Sequence, residues 1–322
     1  MENKQRQKVL VSVDTEGPAG ALPVERMIYS QARDGKEYGI FFLMDMFEKE
    51  NIKALFFVDI PEIVDHDEDK ITKVMLDISS RGHDIGVHVH PDHLADINRR
   101  YLWQYTYDEQ YEIIARCTDF YNKILKKQPL SFRAGRYGAN NDTIEVLKKL
   151  GYLYDMSQFY ASRYCLIEPP ITWNRVVRYG ESQLKEVPVT TVKSFATPFY
   201  SRNDQIDSGR IPSEFRRFMK EIEKTGSVDV VSMFFHSFQF IDWRLNPDAP
   251  RFSKKKYNAV IKNMEYLKQQ NVDFITEKDL MNITENQDDK LGPVDCSKGL
   301  IPYYYFVIRA VGVLRDRMVR NV

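Results

Sequence analysis

The stretch Gly82-His83-Asp84-Ile85-Gly86-Val87-His88-Val89-His90-Pro91-Asp92-His93 carries four of the chain's six histidines, and the rest of the sequence is read by how it converges on it. Val87 and Val89 alternate with His88 and His90. On a β-strand, side chains two apart share a face, so both imidazoles point one way and the valines the other. Pro91 ends the strand, because it cannot donate to a sheet ladder. At two residues of strand rise the imidazoles stand about 6–7 Å apart at Cα, close enough to reach one Zn²⁺-like ion with bonds of about 2.0–2.1 Å. A metal site at a strand end is one reading; a pair of surface histidines is the other. His83 lies about 17 Å of extended chain from His88 and cannot share the ion, so it reads as a structural histidine at the other end of the barrel. His66, among Asp65, Asp67 and Glu68, reads as a solvated loop residue. His88, His90, Asp92 and His93 are the residues to count near a metal.

Upstream, Lys8-Val9-Leu10-Val11-Ser12-Val13-Asp14 is a short apolar run with β-branched residues, the pattern of a strand buried on both faces. Asp14-Thr15-Glu16-Gly17-Pro18 then puts two carboxylates at its carboxyl end, where α/β barrels keep their chemistry. One can bind a cation while the other takes a proton from water; the plain alternative is a carboxylate capping the turn before Gly-Pro. Gly17 to Gly39 is irregular and reads as a substrate lip. Glu37–Asn51 has helical spacing, Ile52–Asp59 reads as a buried strand, and Asp67–Arg81 as a helix ended by Gly82.

Downstream, a helix over Tyr105–Lys127 precedes Leu130-Ser131-Phe132-Arg133-Ala134-Gly135-Arg136-Tyr137-Gly138, a strand running into a glycine-punctuated turn. The Arg133 guanidinium can pair with Asp14, keeping that carboxylate ionised and oriented, where the alternative is a surface salt bridge. The backbone N–H groups of the turn can face a developing oxyanion. A capped helix over Asn140–Leu150 and a strand over Gly151–Ser157, with Asp155 near its end, follow. Strand, helix and strand are then readable in Glu186–Val192, Ile211–Thr225 and Val228–Phe235. The last runs into His236, again where a buried strand stops. Imidazole titrates near neutrality, which suits a metal-free histidine to protonating a leaving amine; a core histidine among Phe234, Phe235 and Phe238 is the alternative. Ser253–Gln270 and Val272–Thr276 supply a final helix and strand, and Glu277–Asn282 closes the fold.

Strands alternate with helices at least seven times and no composition shift marks a second core, which predicts a parallel α/β barrel. A chain of 322 residues suits one such barrel with insertions. Lys+Arg and Asp+Glu balance at 46 each, so no overall field recruits nucleic acid. Cys117, Cys165 and Cys296 are widely spaced, odd in number and form no C-x-x-C pair, against both a disulfide framework and a thiolate metal site. The N-terminal residues enter a strand without an apolar signal core, from which a cytoplasmic protein is expected.

Taken together, Val13-Asp14-Thr15-Glu16, the Gly-His-Asp-Ile-Gly-Val-His run, Arg133-Ala134-Gly135-Arg136-Tyr137-Gly138, Tyr154-Asp155-Met156-Ser157 and Phe235-His236-Ser237 resemble, in order and context, the polysaccharide deacetylases. This is the NodB-homology group, carbohydrate esterase family 4. The D-x-E and H-x-H-P forms look most like its WbmS-like branch, encoded with O-antigen or capsule biosynthesis. The resemblance spans roughly Lys8 to Asn282. It implies a deformed (β/α) barrel of about seven parallel strands, a divalent ion, usually zinc, and removal of an N-acetyl group from an amino sugar of a surface glycan or its lipid- or nucleotide-linked precursor.

Carried over residue by residue, Asp14 matches the base and Glu16 the metal carboxylate, roles that can be exchanged because many members have Asp-Asp there. His88 matches the first metal histidine. Many members place the second four residues later, at Asp92 here; strand geometry favours His90, with Asp92 next and His93 third. Arg133 matches the arginine that orients the base, Tyr137 lies where a backbone amide forms the oxyanion site, and His236 matches the general acid, with Asp155 tuning it. Imidazole and carboxylate ligands also suit Fe²⁺, Co²⁺, Ni²⁺ or Mn²⁺. The barrel is expected over 1–290, followed over 291–322 by an amphipathic tail. That tail is too short and too charged to span a bilayer. It reads either as a helix docked on the barrel or as an interfacial anchor at the inner membrane face. The competing functions are hydrolysis of another amide, a cyclic ureide or imide, and an inactive glycan-binding barrel.

Overall fold

The computed structural model describes residues 6–17, 22–160, 162–169, 174–243, 246, 248–285 and 294–320, with side chains in the last helix at 301–309 and 311. The first half alternates as the hydrophobic pattern predicts: β1 (Lys8–Thr15), short α1 (Val24–Met27), α2 (Ile40–Lys49), β2 (Leu55–Asp59), short α3 (Ile63–His66), α4 (Glu68–Ser80), β3 (Asp84–Val89), short α5 (Pro91–Leu94), α6 (Tyr107–Leu125), β4 (Ser131–Ala134), α7 (Asn141–Leu150) and β5 (Tyr154–Asp155). Local chemistry sets the ends. The Thr106 side chain accepts from the Glu109 N–H while Glu109 reaches back to the Thr106 N–H, a reciprocal cap that starts α6. Asn140 does the same with Thr143 for α7. Gly151, at φ 81°, takes the left-handed position that ends α7, which any side chain would strain.

The second half is less regular. β6 (Val177–Arg178) and β7 (Lys185–Glu186) are followed by β8 (Thr191–Ala196) and β9 (Ser201–Gln205), then α8 (Pro212–Thr225), β10 (Val230–His236), α9 (Lys254–Gln269), β11 (Asp273–Ile275), β12 (Val294–Asp295) and α10 (Ile301–Arg320). The main sheet has nine strands in the order β10-β1-β2-β3-β4-β5-β7-β6, with β11 on the lower half of the β1 edge that β2 occupies higher up. Apart from antiparallel β6, the strands are parallel. The fold is a mixed α/β one in which a curled sheet forms a half-barrel, so the expected barrel is deformed to the point of staying open.

Alternation sorts the side chains. Val9, Val11 and Val13 of β1 join Phe56, Val58, Val87, Val89, Phe132 and Phe235 in the cluster packed under the helices. Leu10, Leu55, Phe57, Tyr154 and Met156 form a second cluster inside the curl. The same inner face carries the polar positions, because strand register sets Asp14 beside His236 and Phe57, and His88 beside Asp59 and Arg133.

Two expectations change, and the tail takes one of its two readings. Glu186–Val192 is not one strand: β7 ends at Glu186, and Thr191 begins β8, which with β9 and β12 makes a separate three-stranded sheet. The tail is helical from Ile301 and sits on that sheet, with Phe306 stacked on Phe195 at 4.5 Å and Arg309 bonded to Glu214 of α8 at 2.7 Å. The boundary expected at 290/291 lies outside the described residues, and no helix among them is long and apolar enough to cross a membrane. The segment 22–39 is packed, with Val24, Met27 and Ile28 in the core, because apolar residues three and four apart put one face of α1 against the barrel.

Gly86 makes room inside the curl. A methyl group there would lie 2.6 Å from Phe57 Cε1 and 3.1 Å from the Ser131 carbonyl. Gly86→Ala is expected to lower stability by about 1–3 kcal/mol, read from urea unfolding midpoints; an unchanged midpoint would mean that the Phe57 ring gives way freely.

Candidate active site

Four strand ends converge. β1 delivers Asp14 and, just beyond it, Glu16; β3 delivers His88 and His90; β4 delivers Arg133; β10 delivers His236. Glu16 Oε2 lies 2.6 Å from His90 Nε2 and 3.2 Å from His88 Nε2. The loop that carries Glu16 is tied to the end of β10: Ser237 N–H donates to the Asp14 carbonyl at 2.9 Å and Ser237 Oγ to the Glu16 carbonyl at 3.0 Å. His88 Nδ1–H donates to the Arg133 carbonyl at 2.8 Å, which leaves Nε2 as the acceptor facing Glu16. Gly135 lets the His90 ring approach, since a Cβ there would stand 2.6 Å from it.

Arg133 is wholly buried. Its Nη1 donates to Asp14 Oδ1 at 2.5 Å, its Nη2 to Ser12 Oγ at 3.1 Å, and its guanidinium lies 4.1 Å over the Phe57 ring. Asp14 Oδ2 is thereby left 3.8 Å from His88 Nε2. His236, 31% exposed at its side chain, puts Nε2 3.7 Å from Glu16 Oε1 and is held between Phe234, edge-on at 4.6 Å, and Phe238, stacked at 4.8 Å. It is thus both the terminal histidine and the aromatic-packed one, two readings that the sequence kept apart. Arg136 and Tyr137, at φ 53° and 59°, form a left-handed turn on the opposite wall, and Tyr137 Oη donates to Gln205 Oε1 at 3.0 Å. These groups enclose a cavity of about 180 Å³ lined by Asp14, Glu16, His88, His90, Tyr137 and His236, with Ala134, Arg136, Gln205 and Phe234.

Burial opposes charge throughout. Against it, His90 and then His88 hold the Glu16 carboxyl well below its usual range. Asp14 and Glu16 raise His88 despite its desolvation, whereas desolvation wins at His90 and lowers it. One anionic carboxylate facing two buried imidazoles is a donor set that suits a divalent cation. The Nδ1 of His90 is buried with no hydrogen-bond partner, and one donor atom from each of Glu16, His88 and His90 lies within 4.8 Å of the others. These residues fit a metal ion.

The other candidates lie elsewhere. Asp92 is drawn off by Arg136, at 2.9 Å, and by Arg100, at 3.7 Å. The His93 Nδ1 is 2.6 Å from Asp65 Oδ2. His83 accepts from the Ala54 N–H at 3.2 Å in the core below β3, as its distance along the strand implies. His66 is buried beside Glu62, 3.8 Å away, and is no solvated loop residue, because α3 turns it inward. The Asp155 Oδ1 accepts from the Ser157 hydroxyl and from the Ser157 N–H, and its neighbours are those of β7 rather than His236. No residue of 22–39 lines the cavity, and 18–21, also part of the expected lip, lie outside the described residues.

Two buried acids escaped the sequence reading. Asp59 and Glu62 are each 1% exposed. Burial first, then the charges of Glu62 and Glu16, raise Asp59 well above its usual range, and burial pushes Glu62 up to about 8. Asp59 could have been found, since it ends β2 as Asp14 all but ends β1. Gln205 could not, because nothing in Ser201-Arg202-Asn203-Asp204-Gln205 reads as a strand.

Comparison with known proteins agrees with this architecture. Residues 26–154 match the family model described as polysaccharide deacetylase. No curated protein sequence matches the chain. Among solved structures, a protein from Mycobacterium smegmatis described as a polysaccharide deacetylase is similar at a TM-score of 0.57 and 16% identity, over 91% of this chain and 94% of that one. The PuuE allantoinase is similar at 0.56 and 12%, over 88% and 91%. At these identities the structures speak for the fold, and the family model supports a deacetylase-type hydrolase domain.

Replacing Arg133 by Met leaves the Asp14 carboxylate buried and unpaired. Arg133→Met is expected to cost about 3–5 kcal/mol in guanidinium chloride unfolding, and Asp14→Asn in the same chain should restore part of it. Additive losses in the double variant would mean that the pair is not coupled.

Proposed function

We propose that this chain is a divalent-metal-dependent hydrolase, with zinc as the favoured ion, that removes an N-acetyl group from an amino sugar. The observation that carries the reading is the arrangement around one cavity: an Arg133-held carboxylate and a partly exposed histidine beside the Glu16, His88 and His90 donors.

In this mechanism Glu16, His88 and His90 would hold the ion, which when bound would supply Lewis acidity toward the acetyl carbonyl and toward water. Asp14, kept in place by Arg133, accepts the proton of the attacking water. His236 faces the cavity from the other side and donates a proton to the departing sugar nitrogen. The left-handed turn at Arg136 and Tyr137 presents backbone toward the forming oxyanion. Tyr137 acts through that backbone, since burial raises its phenol far above neutrality. The contact with Arg133 supports this Asp14/Glu16 order, the acid bonded to the guanidinium acting as the base and the one beside the imidazoles as the ligand.

The substrate is a surface glycan or its lipid- or nucleotide-linked precursor. The forms Asp14-Thr15-Glu16 and His88-Val89-His90-Pro91 support the WbmS-like branch, and with it a cytoplasmic protein acting at the inner face of the membrane. The aromatic face of α10, where Tyr304 and Val307 are exposed, offers a peripheral contact there.

Purified protein is expected to carry zinc by plasma mass spectrometry, to lose it in His88→Ala, and to release acetate from N-acetylated amino sugars. Asp14→Asn and His236→Ala should keep the zinc and lose about 10²–10⁴-fold in kcat. Turnover of cyclic ureides without acetate release would replace this reading with that of an allantoinase-like amidohydrolase.

A further inference from the structure

Beside the first donor set lies a second one. Asp59 ends β2, Glu62 follows within the next turn, and His93 projects from α5. One donor atom from each lies within 4.8 Å of the others. Each acid uses one oxygen on backbone: Asp59 Oδ1 accepts from the His90 N–H at 3.0 Å, and Glu62 Oε1 from the Gly17 N–H. Their other oxygens, Asp59 Oδ2 and Glu62 Oε2, are buried and have no hydrogen-bond partner. An unpaired buried carboxylate oxygen is costly, and here there are two.

His93 sharpens the point. Asp65 Oδ2 sits 2.6 Å from its Nδ1 and fixes the proton there, so Nε2 turns its lone pair toward Asp59 Oδ2, 4.0 Å away. Two acceptors facing each other across 4.0 Å cannot bond to one another. A carboxylate that orients a histidine from behind is the usual support of a metal-binding imidazole. His66, 3.8 Å from Glu62 Oε2, could neutralise the acids only if protonated, which its burial disfavours.

We infer that Asp59, Glu62 and His93 form a second divalent-cation site adjoining the Glu16, His88 and His90 set. Two carboxylates and one imidazole suit Zn²⁺ or Mn²⁺. The site also has a lever on the first. Its carboxylates hold the backbone of His90 and of Gly17, the residue after Glu16, so an ion here stiffens two of the three donors of the neighbouring centre.

The test is metal stoichiometry of the full-length chain, stripped with chelator and equilibrated with Zn²⁺ or Mn²⁺ before mass spectrometry. Wild type is expected to hold two equivalents. Glu62→Gln and, separately, His93→Ala should hold one, as should Glu16→Gln. His93→Ala carries the test if Glu62→Gln fails to fold, since the His93 ring sits at the edge of the core. The remaining ion in His93→Ala should bind about 10–100-fold more weakly than in wild type. One equivalent in wild type, lost in Glu16→Gln and kept in both Glu62→Gln and His93→Ala, would overturn the proposal and leave the acids sharing a proton. One equivalent kept in Glu16→Gln and lost in His93→Ala would uphold this site and sink the first.

Discussion

The buried ion pair between Arg133 and Asp14 is the constraint on which the rest depends. A guanidinium with no solvent exposure has lost its hydration, and its position is tenable only because every direction around it is supplied. Asp14 takes the charge, Ser12 and the Met156 carbonyl take hydrogens, and the Phe57 and Phe234 rings take its faces. Those partners come from β1, β2, β10 and the segment after β5. The pair can therefore form only when the sheet has curled far enough to bring β4 opposite β1, across the two strands that separate them.

Curling the sheet also explains the electrostatics of the cavity. Parallel strands end together, so acids and imidazoles placed at their carboxyl ends meet whatever their separation along the chain. Asp14, Glu16, Asp59 and Glu62 would repel one another in a desolvated space. The fold divides them: Arg133 takes Asp14, the two imidazoles take Glu16, and Asp59 and Glu62 turn one oxygen each to backbone N–H groups. Gly86 and Gly135 are the steric counterpart, one yielding space to the Phe57 ring under the guanidinium and the other to the His90 ring.

The three-stranded sheet links the site to the C-terminal helix. β9 sends Gln205 to the cavity wall while its hairpin with β8 supports α10 through Phe195 and Phe306. Exposed Phe199, Tyr200, Tyr304 and Val307 lie along the same hairpin and helix.

Sequence alone determined the alternation of strands and helices, because β-branched runs and helical spacing are local properties, and it marked Asp14, Glu16, His88, His90, Arg133 and His236 because each stands at or beside a strand end. Only the tertiary structure decided the partners. That His90 rather than Asp92 or His93 stands beside Glu16 depends on Arg136, Arg100 and Asp65, each drawing off a competitor across a gap that no spacing rule describes. The β8–β9 hairpin escaped notice because its polar second strand, Ser201–Gln205, has no hydrophobic alternation to read. Asp59 and Glu62 escaped because burial of an acid is a property of what packs around it. A strand's period says which face a side chain takes; which charges then share that face is set by how the sheet bends, and bending is a property of the whole assembly of strands.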